Sequence, residues 1–368
     1  MEILRHLADR GYDAHLIATC SRRSHRRKEP NIDILCIPLR YVRAVQGPFF
    51  SIVLLFLLPL YAVLTKPDFI ITEPGPLILA FAWKPLLSCL GTKVILDIRS
   101  TPVEVKGRIA SLQALLFRIS VILASRIFDG MTAITPMMKE DVARQHGISP
   151  RLIGIWTDGV STTLFDPARY RNDRLQLRKE NNLGSAFVVL YHGAMGLNRG
   201  IIETVESIGL LKARYDDIVL FLLGEGPALS QVRRIVRERG LEDKVILHDV
   251  VSYSDVPRYI AMSEVGMVPL PDMPDWRYQC PLNLLEYLAM EKPVVMTNIP
   301  GNRLVVGHGR CGIYVPTASP EAIAEGIAFA HEHRTMLEEW GREGRDIMKE
   351  RYDWAKVAEQ LEGYLMRC

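Results

Sequence analysis

Glu286 stands inside an apolar stretch that gives no obvious reason for a charge. Residues 280–297 read CPLNLLEYLAMEKPVVMT, with leucines on both sides of the carboxylate. Burying an unpaired carboxylate is costly, so Glu286 either lies on the exposed face of a helix or accepts hydrogen bonds from a ligand. Pro281 is suited to starting that helix. A carboxylate one turn later can accept hydrogen bonds from two adjacent hydroxyl groups, such as those of a ribose.

Glycines and one arginine follow an earlier apolar run. Residues 191–201 read YHGAMGLNRGI. Gly193 and Gly196 let backbone amides approach an anion, and the following helix would present the positive end of its dipole. Arg199 adds a cation, which suits the group to holding a diphosphate. The same pattern also fits a surface arginine at an ordinary helix start, so both interpretations stay open.

Three other segments contain weaker signals. Gly224 and Gly226 in LLGEGP, 222–227, would admit a nucleotide, although turns of this composition are common. HDVVSYSDV, 248–256, is predicted to form a wall for the nucleotide base through its backbone. Asp97 and Arg99 end the run VILDIR and are candidates for the acceptor side of a site, or for an ordinary ion pair at a strand end.

Short β-branched runs alternate with helical patterns throughout, which predicts parallel sheets wrapped by helices. In the second half the candidate strands are 187–191, 218–223, 245–248, 265–269, 293–297 and 312–315. Each is followed by a turn and a helix, so this half is predicted to form one complete doubly wound domain. Ligands bind such domains beyond the carboxyl ends of the strands, where the segments described above lie.

The first half gives one strand fewer. Its candidates are 14–19, 69–72, 94–98, 127–134 and 152–156. It also begins with a helix in a helix-glycine-strand order that normally follows an opening strand, so we expect the first strand to be absent. DGVSTTLFDP, 158–167, is the predicted hinge. The predicted domains are therefore 1–165 and 166–348, followed by a last amphipathic helix in 349–368.

Charge and hydropathy favour a membrane surface over nucleic acid as a partner. The net charge of 368 residues is only +3, which is too small to predict nucleic-acid binding. A basic run at 21–28, SRRSHRRK, precedes the apolar segment 49–65, which contains Pro59. We favour a helix docked on its own domain; partial insertion into a leaflet is the alternative, and a full crossing is least favoured.

The cysteines predict a reducing compartment. The six cysteines are far apart and show no paired spacing for zinc or redox chemistry, so we expect free thiols. The first ten residues are amphipathic and charged, unlike a signal peptide. We therefore expect a cytoplasmic protein, located at the inner face of the membrane if the basic and apolar segments bind lipid.

Seven segments together resemble glycosyltransferase family 4, the group 1 glycosyltransferases. They are ILDIRSTP, TAITPMMKEDVARQHGI, DGVSTTLFDP, HGAMGLNRGIIETVESI, LGEGP, PLNLLEYLAMEKPVV and CGIYVPTASPEAIAEGI, in the family's order and approximate spacing. The resemblance implies the GT-B fold, in which two Rossmann-like domains face a cleft. It also implies an amino-terminal acceptor domain, a carboxyl-terminal nucleotide-sugar domain, and a final helix that crosses back to the first domain.

The resemblance assigns roles to individual residues. Arg199 matches the basic residue that holds the donor diphosphate, and Glu286 matches the second glutamate of the family's Glu-x7-Glu motif, which binds ribose. The predicted catalytic residues are thus Arg199 and Glu286, and the donor-binding set is Gly193, Gly196, Gly224, Gly226, Tyr278, Pro281, Leu282 and Asn283. The family needs no divalent metal and no cofactor beyond its nucleotide-sugar substrate.

The chain departs from the family pattern at several places. The first glutamate of the motif, which holds hydroxyls of the donor sugar, is Tyr278 here. Asn283 replaces a lysine of the subgroup with SPLKLFEYMAAGKPVV, and Ser100 replaces an aspartate of RDLWP. Arg199 stands alone where many members have an arginine and a lysine. The tyrosine at 278 puts the identity of the donor sugar in question, and the single arginine predicts a weaker grip on the phosphates.

The predicted function is retaining transfer of a sugar from a nucleotide sugar to an acceptor hydroxyl. The acceptor would be a glycan or a lipid-linked molecule in glycolipid or surface-polysaccharide assembly. Two alternatives stay open: a non-catalytic partner subunit that binds nucleotide sugars, and a nucleotide-sugar 2-epimerase on the same fold. PDMPD, 271–275, lacks the Asp-x-Asp arrangement at a strand end that metal-dependent transfer uses.

Overall fold

Strands and helices alternate along the chain and build two units. The computed structural model describes residues 1–20, 27–29, 31–38, 46–74, 82–101, 108–307 and 309–368. Unit 1 comprises Met1–Thr157 and Trp354–Cys368, and unit 2 comprises Asp158–Asp353.

The elements alternate as a parallel α/β architecture requires. The first part of unit 1 contains α1 (Glu2–Asp9), β1 (Ala14–Cys20), β2 (Arg27–Glu29), β3 (Ile32–Pro38), α2 (Gln46–Thr65), β4 (Phe69–Thr72), α3 (Lys84–Cys89), β5 (Lys93–Ile98), α4 (Arg108–Ile127), β6 (Gly130–Ala133), α5 (Pro136–His146) and β7 (Ile153–Ile155). Unit 2 contains α6 (Arg171–Glu180), β8 (Phe187–His192), α7 (Ile201–Leu211), β9 (Ile218–Leu223), α8 (Leu229–Glu238), β10 (Val245–His248), α9 (Val256–Met262), β11 (Val265–Val268), α10 (Pro274–Arg277), α11 (Leu282–Ala289), β12 (Val294–Thr297), α12 (Pro300–Val306), β13 (Gly312–Val315), α13 (Pro320–Glu332) and α14 (Arg334–Ile347). A π-helical turn (Met348–Tyr352) leads to α15 (Trp354–Leu365).

The sheet of unit 2 is a doubly wound parallel sheet. Its order is β10-β9-β8-β11-β12-β13, and every neighbouring pair is parallel. All residues of β8 and β9 are buried, because helices cover both faces of the sheet. The side chains of each strand alternate between two cores. Val188 and Leu190 enter one core, whereas Phe187 and Val189 enter the other. All six predicted strands are confirmed.

Unit 1 contains more strands than the sequence analysis predicted. A parallel sheet has the order β4-β5-β6-β7, and a second sheet has the order β1-β3-β2. The prediction of five strands was wrong because β2 and β3 were missed. Asp33 and Pro38 lower the strand propensity of the β3 sequence IDILCIP. The predicted strand 127–134 was also too long, since α4 continues to Ile127 and β6 begins at Gly130.

The boundaries between the units differ from the predicted 165 and 348. Phe165 and Tyr352 are buried in a core of unit 2, and the Val160 amide donates to the Tyr352 carbonyl at 2.8 Å. Residues 158–165 and 349–353 therefore belong to unit 2. Helix α15 belongs to unit 1, where Leu361 packs with Leu7 and Trp156.

Helix α2 exposes one apolar stripe to solvent. Phe49, Ile52, Phe56, Leu60 and Leu64 are each about half exposed or more, and their spacing places them along one face. In the described ranges, no helix has the length and apolar character needed to cross a bilayer. The basic run 21–28 lies mostly outside the described residues, so membrane contact stays a prediction.

The cysteines differ from the sequence-based expectation. Cys36 is disulfide-bonded, whereas Cys89, Cys280, Cys311 and Cys368 are free thiols. The prediction of free thiols was therefore wrong for Cys36, because spacing along the sequence does not show which cysteines the fold brings together.

Candidate functional site

A cavity of about 660 Å³ lies at the carboxyl ends of β8, β9 and β10. This edge is where ligands bind a doubly wound sheet, next to the point where the strand order reverses between β8 and β11. Its wall is formed by His192, Gly193, Ala194, Leu223, Gly224, Glu225, Gly226, Val250, Val251, Tyr253, Val256 and Glu286. Four predicted site residues, Gly193, Gly224, Gly226 and Glu286, thus lie around one space. Val250, Val251, Tyr253 and Val256 of the segment 248–256 also line it, and their contact with a base stays a prediction.

The glycines of this wall act in two different ways. Gly193 has φ +121°, and a Cβ built on it would meet nothing within 4 Å, so its backbone is open to a ligand. A Cβ on Gly224 would lie 2.1 Å from the Gly193 carbonyl oxygen, and one on Gly226 would lie 2.4 Å from that of Met195. Gly224 and Gly226 are therefore needed first for close packing of the two loops.

Glu286 is positioned by the residue that follows it. The hydroxyl of Tyr287 donates to the Leu190 carbonyl at 2.8 Å and accepts from the His192 amide at 3.0 Å, which fixes α11 against β8. The absence of a side chain at Gly266 admits the Tyr287 ring, because a Cβ there would lie 2.4 Å from the ring. The neighbouring carboxyl group is thereby directed into the cavity wall.

The environment of Glu286 disfavours its charged form. The residue is only 6% exposed, and burial raises the pKa of its carboxyl group to about 8, although a hydrogen bond with the Tyr253 hydroxyl acts in the opposite direction. His192 Nε2 lies 3.3 Å from Glu286 Oε2, and burial lowers the pKa of this imidazole to about 3. The alternative interpretation, in which Glu286 lies on an exposed helix face, is therefore wrong.

Arg199 lies just before α7 and is held on two sides. Its guanidinium carbon is 4.6 Å from the centre of the Trp276 ring, and it hydrogen-bonds the Tyr191 hydroxyl. The Trp276 indole in turn donates to the Asn198 carbonyl at 2.9 Å. Arg199 does not line the cavity described above, but its position at a helix start with uncapped amides suits anion binding.

The other predicted donor residues lie outside the cavity lining. Pro281 is the residue before α11, and the Asn283 side chain accepts a hydrogen bond from the Leu284 amide at 3.1 Å. Leu282 is 50% exposed. Gly196 lies in the loop before Arg199, and Tyr278 follows α10 as a half-buried residue.

Asp97 and Arg99 form a separate group at the strand ends of unit 1. Asp97 accepts hydrogen bonds from the Thr132 hydroxyl at 2.7 Å and the Trp156 indole at 3.1 Å. Burial raises the pKa of Asp97 to about 6, against the charge of Arg99 and these hydrogen bonds. The Arg99 guanidinium lies 4.0 Å from the Trp156 ring centre and stays partly exposed. Asp97 is therefore enclosed, and Arg99 is the accessible member.

Two neighbours of predicted residues were missed by sequence reasoning. His192 was available as a signal, because a titratable residue ends an otherwise apolar central strand directly before Gly193. Trp276 had no comparable signal, since its contact with Arg199 depends on the folding of α10 near the start of α7. In the described part of the chain, no group of three or more His, Cys, Asp or Glu is arranged to hold a metal ion.

A parallel sheet in each unit, with a cavity at the strand ends of the second, defines a protein of the GT-B class. Residues 1–164 match the family described as Glycosyltransferase Family 4. Residues 173–347 match the family described as Glycosyl transferases group 1. The chain belongs to these glycosyltransferases, as the sequence motifs predicted.

Individual relatives are distant. The chain is similar to the alpha-D-kanosaminyltransferase of Streptomyces kanamyceticus, with 24% identity over 55% of this chain and 52% of that protein. It is 26% identical to a GDP-mannose-dependent alpha-(1-6)-phosphatidylinositol monomannoside mannosyltransferase of Mycobacterium tuberculosis, over 56% and 54% of the chains. The chain thus spans about half the length of these curated relatives.

A solved structure shows the same fold at low identity. Anabaena HepE, in complex with UDP and glucose, superposes with a TM-score of 0.73 at 15% identity, over 92% of this chain and 87% of that one. At this identity, the match supports the fold alone.

Proposed function

We propose that this protein transfers a sugar from a nucleotide-sugar donor to an acceptor hydroxyl, with retention of the anomeric configuration and without a divalent metal. The observation that carries the proposal is the buried carboxyl group of Glu286 in a cavity bordered by the open backbone of Gly193. A nucleoside presents apolar base faces and a hydroxyl pair, which match these walls. Supporting comparisons are a relative described as GDP-mannose-dependent and a similar fold solved with UDP.

The donor would bind to unit 2 with its parts in a fixed order. The base would lie against Val250 and Val251, and the ribose hydroxyls would bind Glu286. The diphosphate would bind the amides near Gly193 and the cation of Arg199. Because the Trp276 ring and the Tyr191 hydroxyl restrain Arg199, little side-chain entropy would be lost when it binds the phosphates.

In the proposed reaction, the bond between the anomeric carbon and the phosphate oxygen breaks, and the acceptor oxygen bonds to that carbon on the same face. The departing phosphate oxygen takes the proton of the acceptor hydroxyl, so no side-chain base is required. Arg199 and the amides at the start of α7 stabilise the charge that develops on the diphosphate. Arg99 of unit 1 is the proposed acceptor-side cation, since it is partly exposed and rests on Trp156.

A lipid-linked acceptor and contact with the inner face of the membrane are the finer part of the proposal. The stripe on α2 supports it, since exposed phenylalanine and leucine side chains on one helix face are typical of interfacial helices. The double variant Phe56→Ser, Leu64→Ser should lose sedimentation with anionic phospholipid vesicles. The double variant Leu175→Ser, Leu210→Ser, which alters exposed leucines of unit 2, is the control and should sediment like the wild type.

The experiment that tests the function is transfer from UDP-, GDP-, ADP- and dTDP-sugars to acceptors in a membrane extract, with and without a chelator. We expect one donor to give a transferred product that the chelator does not reduce. Arg199→Gln should lower turnover by about 100-fold or more, while its melting temperature stays close to that of the wild type. Saturable nucleotide binding without transfer would instead favour a non-catalytic partner subunit, an alternative raised by Tyr278. Conversion of the nucleotide sugar when no acceptor is present would reveal an epimerase.

A further inference from the structure

His192 and Glu286 form a closed pair at the wall of the cavity. Both residues are 6% exposed, and Nε2 of the histidine lies 3.3 Å from Oε2 of the glutamate. Nε2 has no solvent contact and finds no hydrogen-bond partner among the described residues. Glu286 lines the cavity and is within reach of a ligand, and a proton can pass from its Oε2 to His192 Nε2 once a small rotation brings the two atoms into hydrogen-bonding geometry.

The other groups around the pair leave it without a fixed counter-charge. The Tyr253 hydroxyl hydrogen-bonds the carboxyl group, and Tyr287 contacts His192 through its ring, with 4.8 Å between the ring centres. Glu225 is the other titratable residue in the wall of the cavity. None of these three is a cation, so among the described residues of the cavity wall only a protonated His192 would balance the charge of an ionised Glu286.

We propose that His192 takes the proton of Glu286 when the ribose of a nucleoside diphosphate binds, so that recognition of the ribose exchanges no proton with solvent. This inference rests on the proposed function. In the empty site, the proton lies on Glu286 Oε2 and Nε2 carries a lone pair. On binding, the O–H bond breaks, an N–H bond forms on His192, and the carboxylate accepts hydrogen bonds from both ribose hydroxyls.

The physical reason is the difference between a carboxylic acid and a carboxylate. A carboxylate accepts from both hydroxyls of a diol, whereas a protonated carboxyl group must keep one oxygen as a donor. A buried carboxylate alone would be unfavourable, but the adjacent imidazolium offsets its charge. His192 is thus a positioning residue that acts on the ligand through Glu286.

The decisive variant is His192→Phe, which keeps a ring against Tyr287 but cannot take a proton. Without His192, ionisation of Glu286 must release its proton to solvent. The affinity for UDP or GDP should then fall about 15-fold between pH 8 and pH 6.5, the change expected for one proton leaving a group with a pKa near 8. His248→Phe is the control, because His248 ends the neighbouring strand β10 and contacts Tyr259 outside the cavity lining. The nucleotide phosphate also titrates in this pH range, and it affects the binding of both variants equally. Dividing the affinity of His192→Phe by that of His248→Phe at each pH removes this effect.

A measurement on the wild type supports or overturns the inference even if His192→Phe does not fold. Calorimetric titration with UDP and with GDP in two buffers of different ionisation enthalpy should show no proton released by the protein at pH 7, once the proton given up by the nucleotide phosphate has been subtracted. Infrared difference spectra should show loss of a protonated carboxyl band on binding, and this band should be absent in Glu286→Gln. Release of about one proton by the wild type, or persistence of the carboxyl band, would overturn the inference. Absence of nucleotide binding, or binding unaffected by Glu286→Gln, would instead count against the proposed function.

Discussion

Replacing Glu286 by glutamine should stabilise the unliganded protein while weakening nucleotide binding. Burial raises the pKa of Glu286 from 4.5 to about 8. For a carboxyl group with a raised pKa, the folded state keeps a proton that the unfolded state has released, so stability falls as the pH rises from 4.5 towards 8. At about 1.4 kcal/mol per pH unit, this interval corresponds to at most about 5 kcal/mol.

His192 hides this effect below pH 6.5 in the stability profile of the wild type taken alone. Burial lowers the pKa of His192 from 6.5 to about 3. A base with a lowered pKa gives stability that is present above pH 6.5 and lost as the pH falls. Between pH 4.5 and 6.5 the contributions of Glu286 and His192 to the pH dependence of stability cancel. In the folded protein the pair holds one proton on Glu286, and in the unfolded chain it holds one proton on His192. Above pH 6.5 only the contribution of Glu286 still changes the unfolding free energy with pH.

The wild type should therefore lose about 2 kcal/mol of unfolding free energy between pH 6.5 and pH 8 relative to Glu286→Gln. Urea denaturation of the two unliganded proteins across this range measures the difference directly. The glutamine variant keeps the shape of the side chain and does not titrate, so other ionisable groups contribute equally to both proteins. Parallel stability profiles across this range would refute the reasoning, since they would mean that the buried pair has already released its proton below pH 6.5.

Three further substitutions test the packing around the site. Gly224→Ala should lower the stability of the protein by about 2–4 kcal/mol in urea denaturation, because its Cβ would meet the Gly193 carbonyl oxygen at 2.1 Å with a φ of +145°; a change below about 0.5 kcal/mol would contradict this. Trp276→Leu should lower turnover without a comparable loss of melting temperature, because Arg199 loses the ring on which it rests; unchanged steady-state kinetics would show that the ring does not position it. Gly154→Ala should destabilise the attachment of α15 by about 1–3 kcal/mol, because the new Cβ would lie 2.2 Å from a tyrosine ring of that helix; protease resistance equal to that of the wild type would argue against this contact.

The sheet of unit 2 could be predicted from the sequence because its strands are continuous apolar runs. FVVLYH and IVLFLL are buried on both faces. Each can therefore be recognised as a strand from its own residues, without knowledge of the strands it pairs with. The missed strands of unit 1 gave weaker signals. IDILCIP contains an aspartate and ends in a proline, and its place beside β1 depends on pairing across a distance in sequence.

The candidate site could be predicted only where one residue type carries the chemistry. Glu286 was identified because a carboxylate within a leucine-rich helix demands a partner, and Gly193 because a glycine follows a strand end. The partner of Glu286 could not be identified in the same way, since His192 lies far from it in sequence and meets it through the Tyr287 contacts with β8. Likewise, the burial of Asp97 depends on Trp156, which folds back from another strand end.

The measurement that tests the central claim most directly is calorimetric titration of the wild type and of Glu286→Gln with UDP and GDP at pH 7. If Glu286 holds the ribose of the donor, one nucleotide should bind the wild type, and the glutamine variant should bind it at least about tenfold more weakly, a difference of about 1.4 kcal/mol. Equal affinity of both proteins for that nucleotide would contradict the account, and so would failure of the wild type to bind any of UDP, GDP, ADP and dTDP.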